Sequence, residues 1–271
     1  MAARSDAAAA SVLTGRKRAP LLVTDGTSLR QETAAYLSSG VSSCLVFGGP
    51  LSVTPGVMAE LGGSPAVPRL LSPEGLVAGR ARVSVRVGVN TTVVTLFSGT
   101  TRIGGREAKP FSTVDFGTVS MPASGGALRI VAGNPDGRGA ESSRRITRLS
   151  YLWPTGIVVD KSDFRLYWIK DNVLVKHYPV AHGRNWWTPA AIWRINSKYH
   201  PDPSSVYGPR KMRLYRQVGS SYVYTAYAIH GTNNPSSIGT LASAGCIRMY
   251  NDDVLELFPQ VPLGTMVQTR E

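Results

Sequence analysis

The 271-residue chain has little cysteine: two residues, Cys44 and Cys246. Two thiols so far apart cannot form a disulfide framework and are too few for a cysteine-based zinc site, so each is judged separately, and both are expected to be free. No stretch approaches ~18 uninterrupted apolar residues, so no transmembrane helix is encoded. The one apolar run near the start, residues 7–13, is weaker than a secretory leader, and Arg16, Lys17 and Arg18 lie behind it instead of ahead. Charged residues are only 17% against 42% hydrophobic, which is the composition of a folded chain and excludes disorder. No basic run exceeds three residues and no nucleic-acid motif occurs, although Lys+Arg 30 against Asp+Glu 17 gives a net charge of +13. That excess is diffuse, +8 over residues 1–151 and +5 over residues 152–271. It argues for an anionic polymer as partner and against a dedicated DNA or RNA groove.

The length predicts two or three compact units. In residues 1–70, short apolar strands (Leu21, Leu22, Val23; Leu45, Val46, Phe47) alternate with helical spacings that end at Gly40 and Gly62, a partial α/β parallel-sheet unit. Gly48-Gly49-Pro50 lacks the G-x-G-x-x-G spacing and no Lys-Ser/Thr pair follows, so nucleotide binding is excluded. The stretch from Ala19-Pro-Leu-Leu-Val-Thr-Asp25 to Val46-Phe-Gly-Gly49 resembles the second half of the type 2 cell-wall-binding repeat. The resemblance implies a chain that begins inside a repeat, with its export signal truncated. Cys44 opens an apolar strand and reads as an inert buried thiol.

Residues 62–76, rich in Gly, Pro and Ser, read as a linker. Val83, Val85, Val87 and Val89 then alternate with polar residues, and further strands are expected at 92–97, 113–119 and 127–132. Short alternating strands between Gly/Pro turns over residues 71–148 predict an immunoglobulin-like β-sandwich without Cys or His, a spacer or binding module. Residues 149–271 predict a third unit, also β, with strands at 156–160, 164–169, 173–180, 191–196, 211–218 and 221–229. It holds all five Trp, all four His and Cys246.

The chemistry concentrates there. Alternation along residues 222–230 puts Tyr222, Tyr224, Ala226, Ala228 and His230 on one face, with the two alanines leaving a groove, and puts Tyr227 on the other. A Gly-containing loop can return Cys246 toward His230. Asn251 is expected to cap a following helix with Asp252 and Asp253 in its first turn and Val254, Leu257 and Phe258 buried. A thiol beside an imidazole can be activated as a nucleophile, and Arg248 adds a field favouring thiolate. The backbone N–H groups of Gly245 and Cys246 are candidates for an oxyanion site. Arg248 can hold a substrate carboxylate or a structural ion pair, and the Trp186-Trp187 pair can line a groove or fill a core. Ser243, Arg248 and Trp187 are the expected substrate contacts. His177, His182 and His200 have no metal-ligand spacing and no metal is expected.

His230-Gly-Thr, the Gly239 loop, Ser243-x-Gly-Cys246-Ile-Arg-Met249 and Asp253-Val-Leu-Glu-Leu resemble the catalytic signature of the L,D-transpeptidases, the YkuD family. The resemblance extends over residues 153–270 through Thr188-Pro189, Tyr207-Gly-Pro209 and Gly264-Thr-Met-Val267. It implies a β-sandwich in which Cys246 attacks the carbonyl of the third residue, a diamino acid, of a peptidoglycan stem tetrapeptide. His230 is the implied base and acid, oriented by the backbone carbonyl of Gly231. Terminal D-Ala leaves, a thioester forms, and an amine of a second stem resolves it into a 3-3 cross-link. No metal or other cofactor is implied, and the implied location is extracytoplasmic. Where many members carry a His before the Gly-Cys pair, Ala244 stands here, which bears on rate, oxyanion support and substrate choice. An L,D-carboxypeptidase using the same pair and a non-catalytic wall-binding protein are the alternatives.

Overall fold

A computed structural model describes residues 65–88, 90–134 and 137–271. Apart from residues 65–70, the expected α/β unit lies outside the described residues, and so does Cys44. The described residues divide into two compact units, one made of residues up to Gly75, Arg82–Val119 and Gly125–Ile146, the other of Leu76–Ala81, Ser120–Ser124 and Thr147–Glu271.

In chain order the first strands are β1 (Arg69–Ser72), β2 (Leu76–Val77), β3 (Arg80–Arg86), β4 (Val93–Ser98), β5 (Thr101–Glu107), β6 (Thr113–Ser120), β7 (Gly126–Gly133) and β8 (Gly139–Arg148). In the first unit β3 pairs with β1 and β6, while β5, β4, β7 and β8 form an antiparallel sheet in that order. Of the valines expected to share a face, Val83, Val85 and Val87 are buried and Val89 lies outside the described residues; Val94, Leu96, Leu128 and Ile130 are buried at alternate positions of the other sheet. Four strands escaped the sequence. The presumed linker contributes β1, whose Leu70 is buried, and β2. Gly104-Gly105, in the stretch between the strands expected at 92–97 and 113–119, lies inside β5 opposite Leu96 and Thr95. Residues 139–148, rich in Arg and Ser, form β8 by pairing along the whole of β7. Each is held by cross-strand partners that local propensity does not reveal.

The second unit contains β9 (Gly156–Asp160), β10 (Arg165–Lys170), β11 (Val173–Gly183), β12 (Ala191–Tyr199), β13 (Lys211–Val218), β14 (Ser221–His230), β15 (Leu241–Ser243), β16 (Ile247–Met249), the helix α1 (Asn251–Gln260) and β17 (Met266–Arg270). The strand order is β11-β10-β9-β17-β12-β13-β14-β16, and β16 pairs back onto β11 through Val180–Met249 and Ala181–Arg248. The all-β expectation holds, and the sheet closes on itself where two separate layers were expected. β9 is buried along its whole length, as its unbroken apolar run requires in a strand covered on both faces. The core gathers Trp168, Tyr178, Trp193, Met212, Leu214, Ile229, Ile247 and Met249 with Val254, Leu257 and Phe258 of α1. Each such side chain contributes roughly 1.5–3 kcal/mol by leaving water.

α1 corrects one expectation. Asn251 is its first helical residue and not its cap, which is Tyr250 with no side-chain capping bond. The Asn251 carboxamide oxygen instead accepts the backbone N–H of Thr232 at 2.8 Å, tying the helix to the loop after β14. Asp252 and Asp253 occupy the first turn, where the helix dipole favours them. At the other end Lys198 donates to the carbonyls of Phe258 (2.5 Å) and Val261 (2.8 Å), oxygens the ending helix leaves open. Among the described residues no helix is long and apolar enough to cross a membrane.

Candidate active site

Three adjacent strands build the site. His230, at the end of β14, is paired on one side with Lys211 of β13 and on the other with Arg248 of β16. Cross-strand partners point to the same face, so Lys211, His230 and Arg248 stand in a row. Two residues along each strand, on that same face, come Arg213, Ala228 and Cys246; Arg213 and Ala228 are register partners. The intervening residues, Met212, Leu214, Ile229, Ile247 and Met249, all point into the core. The structure thus brings Cys246 and His230 onto one face of neighbouring strands, with Ala228 buried on the same face.

A bulge shapes this surface. Between the pairs Arg213–Ala228 and Tyr215–Tyr224, residues 225–227 of β14 oppose the single Leu214 of β13. The Thr225 hydroxyl donates to the Leu214 carbonyl at 2.5 Å and accepts the Tyr227 N–H at 3.2 Å, filling the irregularity. The Cys246 Sγ lies 3.7 Å from the Ala226 carbonyl, to which the thiol donates.

His230 is buried, and its Nδ1 lies 2.5 Å from the Gly231 carbonyl oxygen. That carbonyl can only accept, so Nδ1 carries the proton and Nε2 keeps its lone pair. Burial holds the imidazole well below its ordinary range, at about 4, against the Gly231 carbonyl, which favours the charged ring; Lys211 and Arg248 deepen the depression. The ring is therefore neutral at pH 7 and able to take a proton. Burial also raises the Cys246 thiol, opposed without success by the Ala228 backbone and by the charges of Lys211, Arg248 and Arg213. The thiolate expected from Arg248's field is not the resting form, because desolvation outweighs three cations. Cys246 is a free thiol.

The loop before Cys246 is fixed from within. Ser243, expected to touch substrate, is buried; its hydroxyl donates to the Cys246 carbonyl at 2.6 Å and accepts the Gly245 N–H at 3.0 Å. Both corrections follow from that: Ser243 is spent on the turn, and the Gly245 N–H proposed for the oxyanion is already engaged. Gly245 has φ +124, and a Cβ there would meet Cε1 of Tyr227 at 2.2 Å, so only glycine fits. Tyr227 lies on the core side, as parity demands, with its ring 5.2 Å from Trp193. Its edge nonetheless supports Gly245, and its hydroxyl donates to the Trp187 carbonyl at 3.2 Å. Trp187 itself is 51% exposed beside this loop.

Thr188, which no motif chemistry singles out in the sequence, is central. Its buried hydroxyl accepts the Gly183 N–H at 2.8 Å and donates to the Gly245 carbonyl at 2.7 Å. Behind it, buried Lys161 donates to the Thr188 carbonyl at 3.1 Å and pairs with Glu271 at 2.5 Å. The only sequence signal was the Thr188-Pro189 dipeptide. His182 is a buried core histidine, stacked on Phe164 with its Nε2 3.1 Å from the Lys161 carbonyl, and His200 sits edge-on to Phe258.

A profile of the YkuD family, the L,D-transpeptidase catalytic domain, matches residues 154–268. The chain is 33% identical over 137 residues to the YqjB protein of Bacillus subtilis, covering 44% of this chain and 78% of that protein. The chain belongs to the YkuD family. Its match to the YkuD protein of Bacillus licheniformis is 46% identical over 95 residues, covering 35% of this chain and 52% of the relative. With the ErfK/SrfK protein of Escherichia coli it shares 35% identity over 137 residues, 42% of this chain and 43% of that one. The chain thus spans about half the length of these last two relatives. All three are named as L,D-transpeptidases.

Proposed function

We propose that the chain is a peptidoglycan L,D-transpeptidase working through a Cys246 thioester. The observation that carries this reading is the shared face of β14 and β16, where a neutral His230 with a free Nε2 stands beside a protonated, half-buried thiol. As the sulfur attacks the carbonyl carbon of the third stem residue, its proton passes to Nε2 and a carbon–sulfur bond forms. Collapse breaks the carbon–nitrogen bond, Nε2 returns the proton to the leaving nitrogen, and D-Ala departs. A side-chain amine of a second stem then attacks the thioester, gives a proton to Nε2, and the thiol is regenerated as the cross-link closes. The Gly231 carbonyl stabilises the imidazolium that appears in both steps. With the Gly245 N–H engaged by Ser243, the amide of Cys246 is the oxyanion donor in this scheme. Trp187 and Arg248 are the substrate contacts. The positive charge serves attraction to anionic wall polymers, the setting is extracytoplasmic, and the unit of residues 71–148 is an immunoglobulin-like spacer behind the partial wall-binding repeat of residues 1–70.

Mass analysis of products from purified stem tetrapeptides tests the reading. Cross-linked dimers support transfer; tripeptides alone make the enzyme a carboxypeptidase. Absence of a thioester adduct with either a tetrapeptide or a carbapenem, in a protein whose Cys246→Ala variant behaves identically, makes the domain non-catalytic.

A further inference from the structure

Lys211, Arg213 and Arg248 surround His230 and Cys246, yet among the described residues none of them has a carboxylate within 4.0 Å; the five ion pairs all use other cations. Lys211 is only 7% exposed. Its ammonium rests 3.3 Å from the centre of the Tyr207 ring, which meets His230 edge-on at 5.1 Å. Arg213 donates through Nη1 to the Tyr224 hydroxyl and, at 3.4 Å, to the Thr225 carbonyl, while its buried Nε has no partner. Arg248 reaches only the Ser237 hydroxyl at 3.4 Å, and its buried Nε is also unpartnered. Withdrawing cations from water without counterions is costly unless an anion completes them, so the arrangement is built for a ligand.

The number of cations says which ligand. One carboxylate is satisfied by a single guanidinium in a two-bond fork. In the transpeptidase reading, the terminal α-carboxylate of a donor stem, one residue beyond the scissile carbonyl, is assigned to Arg248, on the strand that carries Cys246. Lys211 and Arg213 then remain, both on β13, across His230 from Arg248. We propose that Lys211 and Arg213 form a second carboxylate subsite, so that the preferred donor carries a free carboxylate on the side chain of its third residue. This rests on the transpeptidase reading above. A diamino acid with a side-chain carboxylate fits the subsite; the same residue as a carboxamide, or lysine, leaves it empty.

The test compares tetrapeptide donors identical except for a free or amidated side-chain carboxylate at the third residue. The wild-type protein is expected to prefer the free acid by about tenfold or more in kcat/KM, expressed mainly in KM. Lys211→Met and Arg213→Met should each bring that ratio toward one, and Lys211→Arg should preserve it; circular dichroism of each variant checks the fold. A wild-type ratio near one, or a ratio untouched by both Met variants, overturns the subsite. Calorimetric binding of the two donors to Cys246→Ala separates this from failure of the catalytic reading. Preference for the free acid that Lys211→Met abolishes upholds the subsite even without turnover. Equal binding of acid and amide refutes it even where turnover occurs.

Discussion

Burial and positive charge pull the Cys246 thiol in opposite directions, and burial prevails, so the sulfur keeps its proton above the ordinary thiol range. Neutral thiol and neutral imidazole then form the resting pair, and charge separates only when substrate arrives. In a Cys44→Ser background, the rate of alkylation by iodoacetamide is expected to keep rising through and beyond pH 9, because only thiolate reacts. Lys211→Met and Arg248→Met, each removing a stabilising charge, shift the curve further upward. A rate already at its plateau by pH 7 would contradict the resting state described. Gly231 has a different constraint: a Cβ there would lie 2.4 Å from the Asn251 carboxamide oxygen and 3.2 Å from Val254 Cγ1. Gly231→Ala therefore pushes the turn away from α1 and pulls the Gly231 carbonyl off Nδ1. We expect kcat/KM to fall by about tenfold or more, with a lowered melting temperature; an unchanged rate would deny the carbonyl its orienting role.

Among the elements, the strands with clean alternation or unbroken apolar runs were readable from sequence, as was the buried face of α1. Those made by pairing alone, β5 through Gly104-Gly105 and the polar β8, were not, because their stabilisation comes from neighbours. The same distinction runs through the site. Cys246, His230 and Gly231 sit in two short stretches whose residue types carry the chemistry. Lys211 and Arg213 look, along the chain, like the solvated side of an alternating strand, and only the register of three strands turns them inward. Thr188 escaped for the same reason, since its hydroxyl meets a carbonyl 57 positions away. By joining the Gly183 amide to the Gly245 carbonyl it sets the loop that aims Cys246. Thr188→Val leaves both groups unpaired, at a cost of about 1–3 kcal/mol, and is expected to lower kcat more than it raises KM. Thr188→Ser keeps the hydroxyl and should restore kcat; equal losses in Val and Ser would mean that packing of the methyl group, and not the bridge, matters.

The whole molecule offers an internal reporter, because all five Trp fall between residues 153 and 193 and so report on the second unit. That unit buries two histidines, His182 and His230, whose burial lowers both below the ordinary imidazole range. The unfolded chain therefore takes up protons that the folded unit refuses. Stability from these groups is fully present above the ordinary value of 6.5 and is lost as pH falls toward the folded value, about 4 for His230. For His230 alone the loss across that window is roughly 3 kcal/mol. Melting followed by tryptophan fluorescence should thus show a midpoint that drops between pH 6.5 and pH 4.5. His230→Gln, which cannot be protonated, should flatten part of that slope while abolishing turnover, leaving the share due to His182. If the slope survived His230→Gln in full, the acid sensitivity would belong to other groups, and the imidazole would not be the buried neutral base on which the proposed acyl transfer depends.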